Sequence, residues 1–174
     1  MTVFLVRHGR PLVARDRTAA DWELDPAGFD DVWALRESGR LPQRAAWFSS
    51  PEPKATATAQ LLTEGDVGIV DDLREHERRT TEWLEDDRAF GAVVRRAFAE
   101  PDLSAHPGWE PLSACRDRVV PAVRRIVDVH AGEDVVLVGH GTAWTVTVAE
   151  LTGSAPDLDR WAALKMPDVL VVEI

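Results

Sequence analysis

The sequence predicts an α/β fold, a three-layer α/β/α sandwich with a mostly parallel central sheet. Short apolar runs alternate along the chain with segments in which apolar residues recur at helical spacing. The runs are apolar almost without interruption, which is typical of parallel strands covered on both faces. The last strand is the one place where an antiparallel pairing is left open. Residues 1–174 are expected to form a single domain.

The first third of the chain is assigned to two strands and a helix. The apolar run at residues 2–6 predicts a buried strand, and residues 46–48 predict a second one. Between them, Asp25 and Pro26 are typical of a helix start, and Gly39 is typical of a helix end.

The middle third continues this alternation. A turn at residues 49–53 is followed by a predicted helix over residues 54–64 and a strand over residues 67–70. A further helix is expected over residues 84–99, where apolar side chains fall at helical spacing.

The last third contains the remaining helices and strands. A helix is predicted over residues 112–129, in which Pro121 removes a backbone donor and is expected to cause a kink. A strand at residues 135–138 and a helix at residues 142–151 follow. A short helix around residues 158–164 and a last strand at residues 169–172 complete the pattern.

The composition excludes several classes of partner. The formal net charge is -10, whereas nucleic acids and anionic membranes require a basic face. The single cysteine, Cys115, excludes an internal disulfide framework. The N-terminus lacks the long apolar stretch of a signal peptide, so a reducing cytoplasm is the expected compartment. The oligomeric state is left open, with a homodimer as one option.

Two histidines follow two of the predicted strands. The first strand ends in Arg7-His8-Gly9, and the fourth ends in Gly139-His140-Gly141. Ligands of open α/β sheets bind beyond the carboxyl ends of the strands, where the winding reverses direction. We therefore expect His8 and His140 to share one site, in which a nucleophilic imidazole lies beside a fixed positive charge.

Other interpretations of this pattern are weaker. Each histidine could simply end a buried strand, but the occurrence of a histidine at the end of two separate strands favours a shared site. A zinc site built on His76 and Glu77 lacks the His-Glu-x-x-His spacing, so no metal and no cofactor are expected. The sequence contains no Gly-x-Ser-x-Gly elbow, Walker loop or Gly-x-Gly-x-x-Gly, which argues against α/β-hydrolase and nucleotide-binding folds.

Three segments resemble the histidine phosphatase superfamily, also called phosphoglycerate mutase-like. They are Leu5-Val6-Arg7-His8-Gly9, Ser49-Ser50-Pro51 with Thr58-Ala59, and Val138-Gly139-His140-Gly141. Between them, Leu73-Arg74-Glu75 resembles the segment that carries the family's proton donor, and Gly108-Trp109-Glu110 resembles its Gly-Glu stretch. The resemblance covers most of the chain, with the segments in the family's order.

The resemblance implies that His8 attacks phosphorus to form a phosphohistidine. Arg7, Lys54 and His140 would hold the phosphoryl oxygens, where negative charge spreads in the transition state. For this chemistry His8 must be neutral, and a hydrogen bond from its other ring nitrogen to a backbone carbonyl would aim the lone pair. The helix after His140 begins with free amides, and Thr142 is a further candidate for anion binding.

The resemblance also implies a carboxylic acid that protonates the leaving alkoxide. Glu75 is expected to supply that proton and then to activate water against the phosphohistidine. Glu77 lies close by in the sequence and remains the alternative.

The chain departs from the family pattern around the expected phosphate site. Lys54 stands where the family usually carries arginine, which replaces a bidentate contact by a point charge. Glu52 would oppose a bound phosphate if it faced the pocket. Arg10 occupies a position that is commonly acidic or polar, and it could restore the charge balance. The first loop also lacks the serine or threonine and the asparagine that often line the pocket.

The expected function is a metal-independent phosphomonoester hydrolase that acts on a small phosphorylated substrate. A mutase would need extra segments to enclose its substrate, and this chain is short. Residues 75–111 are expected to cap the pocket, with Arg78, Arg79, Trp83 and Arg88 as candidates for substrate contacts. Two alternatives remain: a phosphohistidine phosphatase acting on a protein, and a catalytically weakened phosphate-binding or regulatory module.

Overall fold

The computed structural model describes residues 1–84 and 86–174. These residues form five strands, β1 (Thr2–Arg7), β2 (Ala46–Ser49), β3 (Val67–Ile69), β4 (Val135–Gly139) and β5 (Asp168–Glu173). They also form six α-helices, α1 (Phe29–Glu37), α2 (Pro53–Leu62), α3 (Asp87–Ala99), α4 (Leu112–Val129), α5 (Gly141–Thr152) and α6 (Leu158–Ala163). None of the helices in this part of the chain has the length and apolar character needed to span a bilayer.

The strands form one sheet in the order β3-β2-β4-β1-β5. The first four of these strands are mutually parallel, and β5 runs antiparallel to β1. The prediction of a mostly parallel sheet is confirmed, and the last strand is the antiparallel one. Because β1 and β4 are interior strands of a sheet covered on both faces, both read as continuous apolar runs.

Alternate residues of β1 face two separate apolar layers. Val3 and Leu5 pack with the buried faces of α4 and α5, whereas Val6 packs with those of α1 and α2. The sheet is therefore flanked by helices on both faces, and the predicted three-layer sandwich is confirmed.

The end of α2 and the start of α3 differ from the boundaries predicted from the sequence. Helix α2 ends at Leu62, because Thr63 takes an extended backbone conformation. Helix α3 begins at Asp87 and not at residue 84, because the Asp86 side chain accepts a hydrogen bond from the amide of Ala89 and caps the helix there. The predicted helix also included Glu85, which lies outside the described residues. Helix α4 runs over the predicted residues and continues through Pro121.

Two glycines allow close packing at the carboxyl edge of the sheet. A Cβ atom on Gly9 would lie 2.8 Å from Leu24 and Val32, and one on Gly139 would lie 2.5 Å from the Trp144 ring. Trp144 is fully buried, and its indole nitrogen donates to the carbonyl of Val6 at 2.8 Å. These contacts hold α1 and α5 tightly against the ends of β1 and β4.

Replacing Gly139 by alanine should therefore destabilise the fold. We expect Gly139→Ala to lower the free energy of unfolding by about 1–3 kcal/mol, because the added methyl group overpacks the core against Trp144. Gly91→Ala is the matched control, since nothing lies within 4 Å of the added atom in the middle of α3. It should raise stability by about 0.5–1 kcal/mol. Urea unfolding measures both values, and a Gly139→Ala chain as stable as the parent would contradict the packing argument.

Candidate active site

The carboxyl ends of β1, β4 and β2 lie side by side and deliver polar residues to one place. The amide of His8 donates to the carbonyl of Gly139 at 2.9 Å, so the pairing of β1 with β4 extends to the histidine itself. The amide of Ser50 donates to the carbonyl of Val138 at 2.9 Å and continues β2 in the same way. The ring centroids of His8 and His140 lie 5.3 Å apart. The structure thus brings the two histidines together.

These residues line a cavity of about 630 Å³ at the carboxyl edge of the sheet. Its inner part is formed by two histidines, three cations and two carboxylates, namely His8, His140, Arg7, Lys54, Arg78, Glu52 and Glu75. The space is much larger than a phosphate group needs, so an organic group bound to phosphate can also enter.

His8 is buried and is oriented by its own backbone neighbourhood. Its Nδ1 lies 2.6 Å from the carbonyl oxygen of Gly9, which can only accept, so Nδ1 carries the proton of the neutral ring. The unprotonated lone pair is then on Nε2. Burial lowers the pKa of His8 well below 6.5, and the neighbouring His140 and Lys54 lower it further. His8 is therefore a neutral imidazole near pH 7.

His140 is also buried and neutral. Its Nε2 is hydrogen-bonded to the Ser50 hydroxyl at 2.8 Å and lies 3.4 Å from a carboxylate oxygen of Glu52. Burial lowers the pKa of His140 to about 3, although the Glu75 carboxylate acts in the opposite direction. A neutral ring at this position can donate one hydrogen bond to an anion but adds no charge to the cavity.

Arg7 and Arg78 bring two guanidinium groups to the cavity. Arg7 is anchored by a hydrogen bond from Nη1 to the carbonyl of Leu164 at 2.7 Å. Arg78 is stacked on the rings of Phe90 and Trp109, with its guanidinium carbon 4.7 and 4.5 Å from their centroids. Cation–π contacts of this kind fix the plane of a guanidinium without using its donors. Both side chains are thus held in place with donors to spare.

Four buried nitrogen atoms have no hydrogen-bond partner among the described residues. They are Nε of Arg7, Nε of Arg78, Nδ1 of His76 and Nδ1 of His140. All four belong to residues that line the cavity. Because an unsatisfied buried polar group is costly, their concentration around one cavity is typical of a site for a polar ligand.

Lys54 and Glu52 form a buried ion pair at the start of α2. The ammonium group of Lys54 also donates to the carbonyl of Ala19 at 2.6 Å. The second carboxylate oxygen of Glu52 accepts from the backbone amide of Glu75 at 2.9 Å. Glu52 therefore faces the cavity, where its negative charge opposes a bound phosphate.

Glu75 and Glu77 have different environments, although both line the cavity. The carboxylate of Glu75 accepts hydrogen bonds from the amides of Ala143 and Thr142 at 2.9 and 3.2 Å, at the N-terminus of α5. Burial alone would raise the pKa of Glu75, but Arg78 and the amide donors outweigh it, and the pKa is lowered. Glu77 instead forms ion pairs with Arg74 and Arg79. Only Glu75 lies among the inner residues around the histidines.

Residues 75–84 and 86–111 include much of the outer lining of the cavity. The segment around Arg79 pairs with the segment around Gly108, whose carbonyl accepts from the Arg79 amide at 2.7 Å. At the mouth, the rings of Trp22 and Trp83 are stacked with centroids 4.9 Å apart. Arg79 and Trp83 line the cavity, whereas Arg88 is exposed on α3 outside it.

Three other candidates from the sequence have structural partners. Arg10 forms an ion pair with Asp25 at 2.9 Å and is not among the cavity-lining residues. Thr142 accepts from Arg78 through its hydroxyl at 3.2 Å, and its amide is used by Glu75. His76 is buried, and its Nε2 donates to the carbonyl of Glu110 at 2.7 Å. Among residues 1–84 and 86–174, no cluster of three or more His, Cys, Asp or Glu side chains is arranged to hold a metal ion.

Sequence reasoning missed two members of the inner site. The sequence identifies Ser50 only as part of a motif, but its hydroxyl contacts His140. The sequence predicts Arg78 as a contact for the outer part of a substrate, but it reaches the inner cavity. The signal that could have found Arg78 is its position three residues after Glu75, within a segment that carries chemistry. The aromatic stacking that holds it depends on residues 12 and 31 positions further along the chain.

Comparison with known proteins agrees with this geometry. The sequence model of the histidine phosphatase superfamily (branch 1) matches residues 3–174. The uncharacterized phosphatase PhoE of Bacillus subtilis is 25% identical over 171 residues, covering 90% of this chain and 80% of that protein. Phosphoglycerate mutase-like protein 4 of Arabidopsis thaliana is 28% identical, covering 80% of this chain and 66% of that protein.

A solved structure shows the same architecture over the whole chain. The YhfR protein of Bacillus stearothermophilus superposes with a TM-score of 0.75 at 25% identity, covering 99% of this chain and 91% of that one. The family resemblance predicted from the sequence is confirmed, and with it the class of enzyme, a phosphatase of the histidine type. The chain belongs to branch 1 of the histidine phosphatase superfamily.

Proposed function

We propose that this protein is a metal-independent phosphomonoester hydrolase that acts on a small phosphorylated molecule through a phosphohistidine on His8. The observation that carries the proposal is the hydrogen bond from His8 Nδ1 to the Gly9 carbonyl. It fixes the tautomer in which Nε2 has a free lone pair, in the inner part of the cavity beside the cations Arg7, Lys54 and Arg78. A neutral nucleophile among fixed donors is what phosphoryl transfer requires.

The first half of the reaction would transfer the phosphoryl group to His8. Nε2 attacks phosphorus, and the bond between phosphorus and the ester oxygen breaks. Arg7, Arg78 and His140 can donate to the phosphoryl oxygens, where the negative charge of the transition state is spread. Because Arg7 is anchored by Leu164 and Arg78 by two aromatic rings, little reorganisation accompanies this step.

The departing alkoxide needs a proton, and Glu75 is the group we propose to supply it. Its carboxylate lies at the N-terminus of α5 beside His140, and its lowered pKa means that it is ionised in the free enzyme. A phosphate group placed next to it would raise that pKa and favour protonation. In the second half, Glu75 would accept a proton from water as the water attacks the phosphohistidine and releases inorganic phosphate.

Two other functions remain in competition with this one. A phosphohistidine phosphatase would not need a carboxylic acid, because imidazole is a good leaving group, so the inner position of Glu75 favours an ester substrate. A phosphate-binding module without turnover is supported by the ion pair that Glu52 makes with Lys54. Release of phosphate from esters separates the hydrolase from the other two, and release of phosphate from a phosphohistidine peptide separates those two from each other.

The nucleophile is tested by His8→Ala. We expect this change to lower the rate of phosphate release from 4-nitrophenyl phosphate by at least about 10⁴-fold, because no other side chain would form the covalent intermediate. His130→Ala is the matched control, since His130 lies at the end of α4 and does not line the cavity. The control should keep the parent rate. Equal activity of His8→Ala and the parent would reject the assignment.

The acid is tested by Glu75→Gln on esters with different leaving groups. On alkyl phosphates we expect turnover to fall by about 10²–10⁴-fold, because a poor leaving group needs the proton. On aryl phosphates with acidic phenols the loss should be much smaller. Glu77→Gln serves as the control and should show no dependence on the leaving group. If Glu77→Gln showed that dependence and Glu75→Gln did not, the roles would have to be exchanged.

The charge state of the two histidines can be followed by NMR. Because burial lowers the pKa of His8 well below 6.5 and that of His140 to about 3, both rings should stay neutral between pH 5 and pH 7. Their imidazole resonances, assigned by comparison with the His8→Ala and His140→Ala spectra, should not shift over that range. A midpoint near pH 6.5 for either resonance would contradict the proposed neutral nucleophile and donor.

A further inference from the structure

Glu52 is the most unexpected group in the inner cavity. It stands between Pro51 and Pro53 immediately before α2, and it is only 6% exposed. Its side chain does not cap the helix. Instead, one carboxylate oxygen pairs with Lys54, and the other lies 2.9 Å from the Glu75 amide and 3.4 Å from Nε2 of His140.

Two of these contacts involve residues of the proposed function, His140 as a phosphate ligand and Glu75 as the proton donor. The third is with Lys54, which the family resemblance assigns to the phosphate. The positive charge of Lys54 is matched by Glu52 before any ligand enters. The charged or titratable residues that act on Glu52 are Lys54 from α2, His140 from the end of β4, and Glu75 and Arg78 from the segment after β3. Arg7 and His8, from the end of β1, line the same cavity.

The charges of this inner group can be counted from its residues. Arg7, Lys54 and Arg78 are cations, Glu52 and Glu75 are carboxylates, and both histidines are neutral near pH 7. One net positive charge remains. A phosphate dianion would leave the buried group with a net negative charge, whereas a singly charged phosphate would make it neutral. Uncompensated charge is costly to hold in a buried site.

We propose that Glu52 is a specificity-determining residue that restricts the site to a singly charged phosphoryl group, so that phosphate binds together with one proton. The inference rests on the proposed function, because it takes this cavity as the phosphate site. The proton can reside on a phosphate oxygen or on Glu75, where it would be the proton that the leaving group receives. With an uncharged residue at position 52, the site would carry two net positive charges and would match the dianion.

Calorimetric titration with inorganic phosphate tests this directly, since it needs no turnover. For the parent protein, the dissociation constant should rise about tenfold per pH unit above the second ionisation of phosphate, because free phosphate has then lost the proton that the bound complex holds. Titrations at pH 8 in two buffers of different ionisation enthalpy should show uptake of one proton per phosphate bound.

Glu52→Gln should remove this linkage. At pH 8 we expect the variant to bind phosphate at least about tenfold more tightly than the parent and to take up less than half a proton. Glu64→Gln, whose exposed carboxylate pairs with Arg36 and does not line the cavity, should behave like the parent. Circular dichroism checks that each variant is folded.

Inorganic sulfate tests the same inference without any variant, because it is a dianion at every pH used in these titrations. It should bind the parent protein at least about tenfold more weakly than phosphate does at pH 6.

The outcomes separate this inference from the proposed function. A parent protein that binds phosphate without taking up a proton, or that binds sulfate as tightly as phosphate at pH 6, would overturn the role of Glu52 and leave the hydrolase proposal standing. The same holds if Glu52→Gln is folded and takes up one proton as the parent does. Failure of the parent to bind phosphate at any pH between 5.5 and 8.5 would overturn both.

Discussion

The site depends on the in-register parallel pairing of β1 with β4. Residues 3–7 pair with residues 135–139, and the amide of His8 continues the ladder to the carbonyl of Gly139. Two strands that are distant in sequence therefore end at the same level, and the imidazoles that follow them lie 5.3 Å apart. A shift of either strand by one residue would turn its side chains to the opposite face and separate the rings. Gly9 and Gly139 are compatible with this register, because neighbouring side chains pack in the space that a Cβ atom would occupy at each position.

The second constraint is electrostatic. Burying two neutral histidines among three cations requires compensating charge, and Glu52 and Glu75 provide it within the same cavity. The same burial that keeps the pKa of His8 low makes it available as a nucleophile, because a protonated imidazole has no lone pair to offer. Stability of the free site and reactivity toward phosphate thus have a common origin. Glu52 forms an ion pair with Lys54 in the free protein, so its carboxylate competes with an incoming anion for the Lys54 ammonium group.

Much of the fold could be predicted from the sequence because the buried strands and amphipathic helices have strong periodicity. The two histidines could be placed together for the same reason, since parallel strand ends share an edge of the sheet.

The direction in which individual polar side chains point could not be predicted from the sequence. Arg10 pairs with Asp25 across a loop, and Arg78 reaches the inner cavity because Phe90 and Trp109 pack against it. Both outcomes depend on contacts between segments whose relative position no local pattern encodes. Likewise, Glu52 could be recognised as unusual, but its contacts with Lys54, His140 and the Glu75 amide emerge only in the folded chain.

The central claim is that the imidazole of His8 carries the phosphoryl group during turnover. Rapid acid-free quenching of the protein with a ³²P-labelled phosphomonoester, followed by peptide mapping, tests this most directly. The account predicts a label on His8 that is stable in base and labile in acid, and that appears and disappears at rates compatible with turnover. Phosphate release without any label on His8, or a label on another residue that turns over at the catalytic rate, would contradict it.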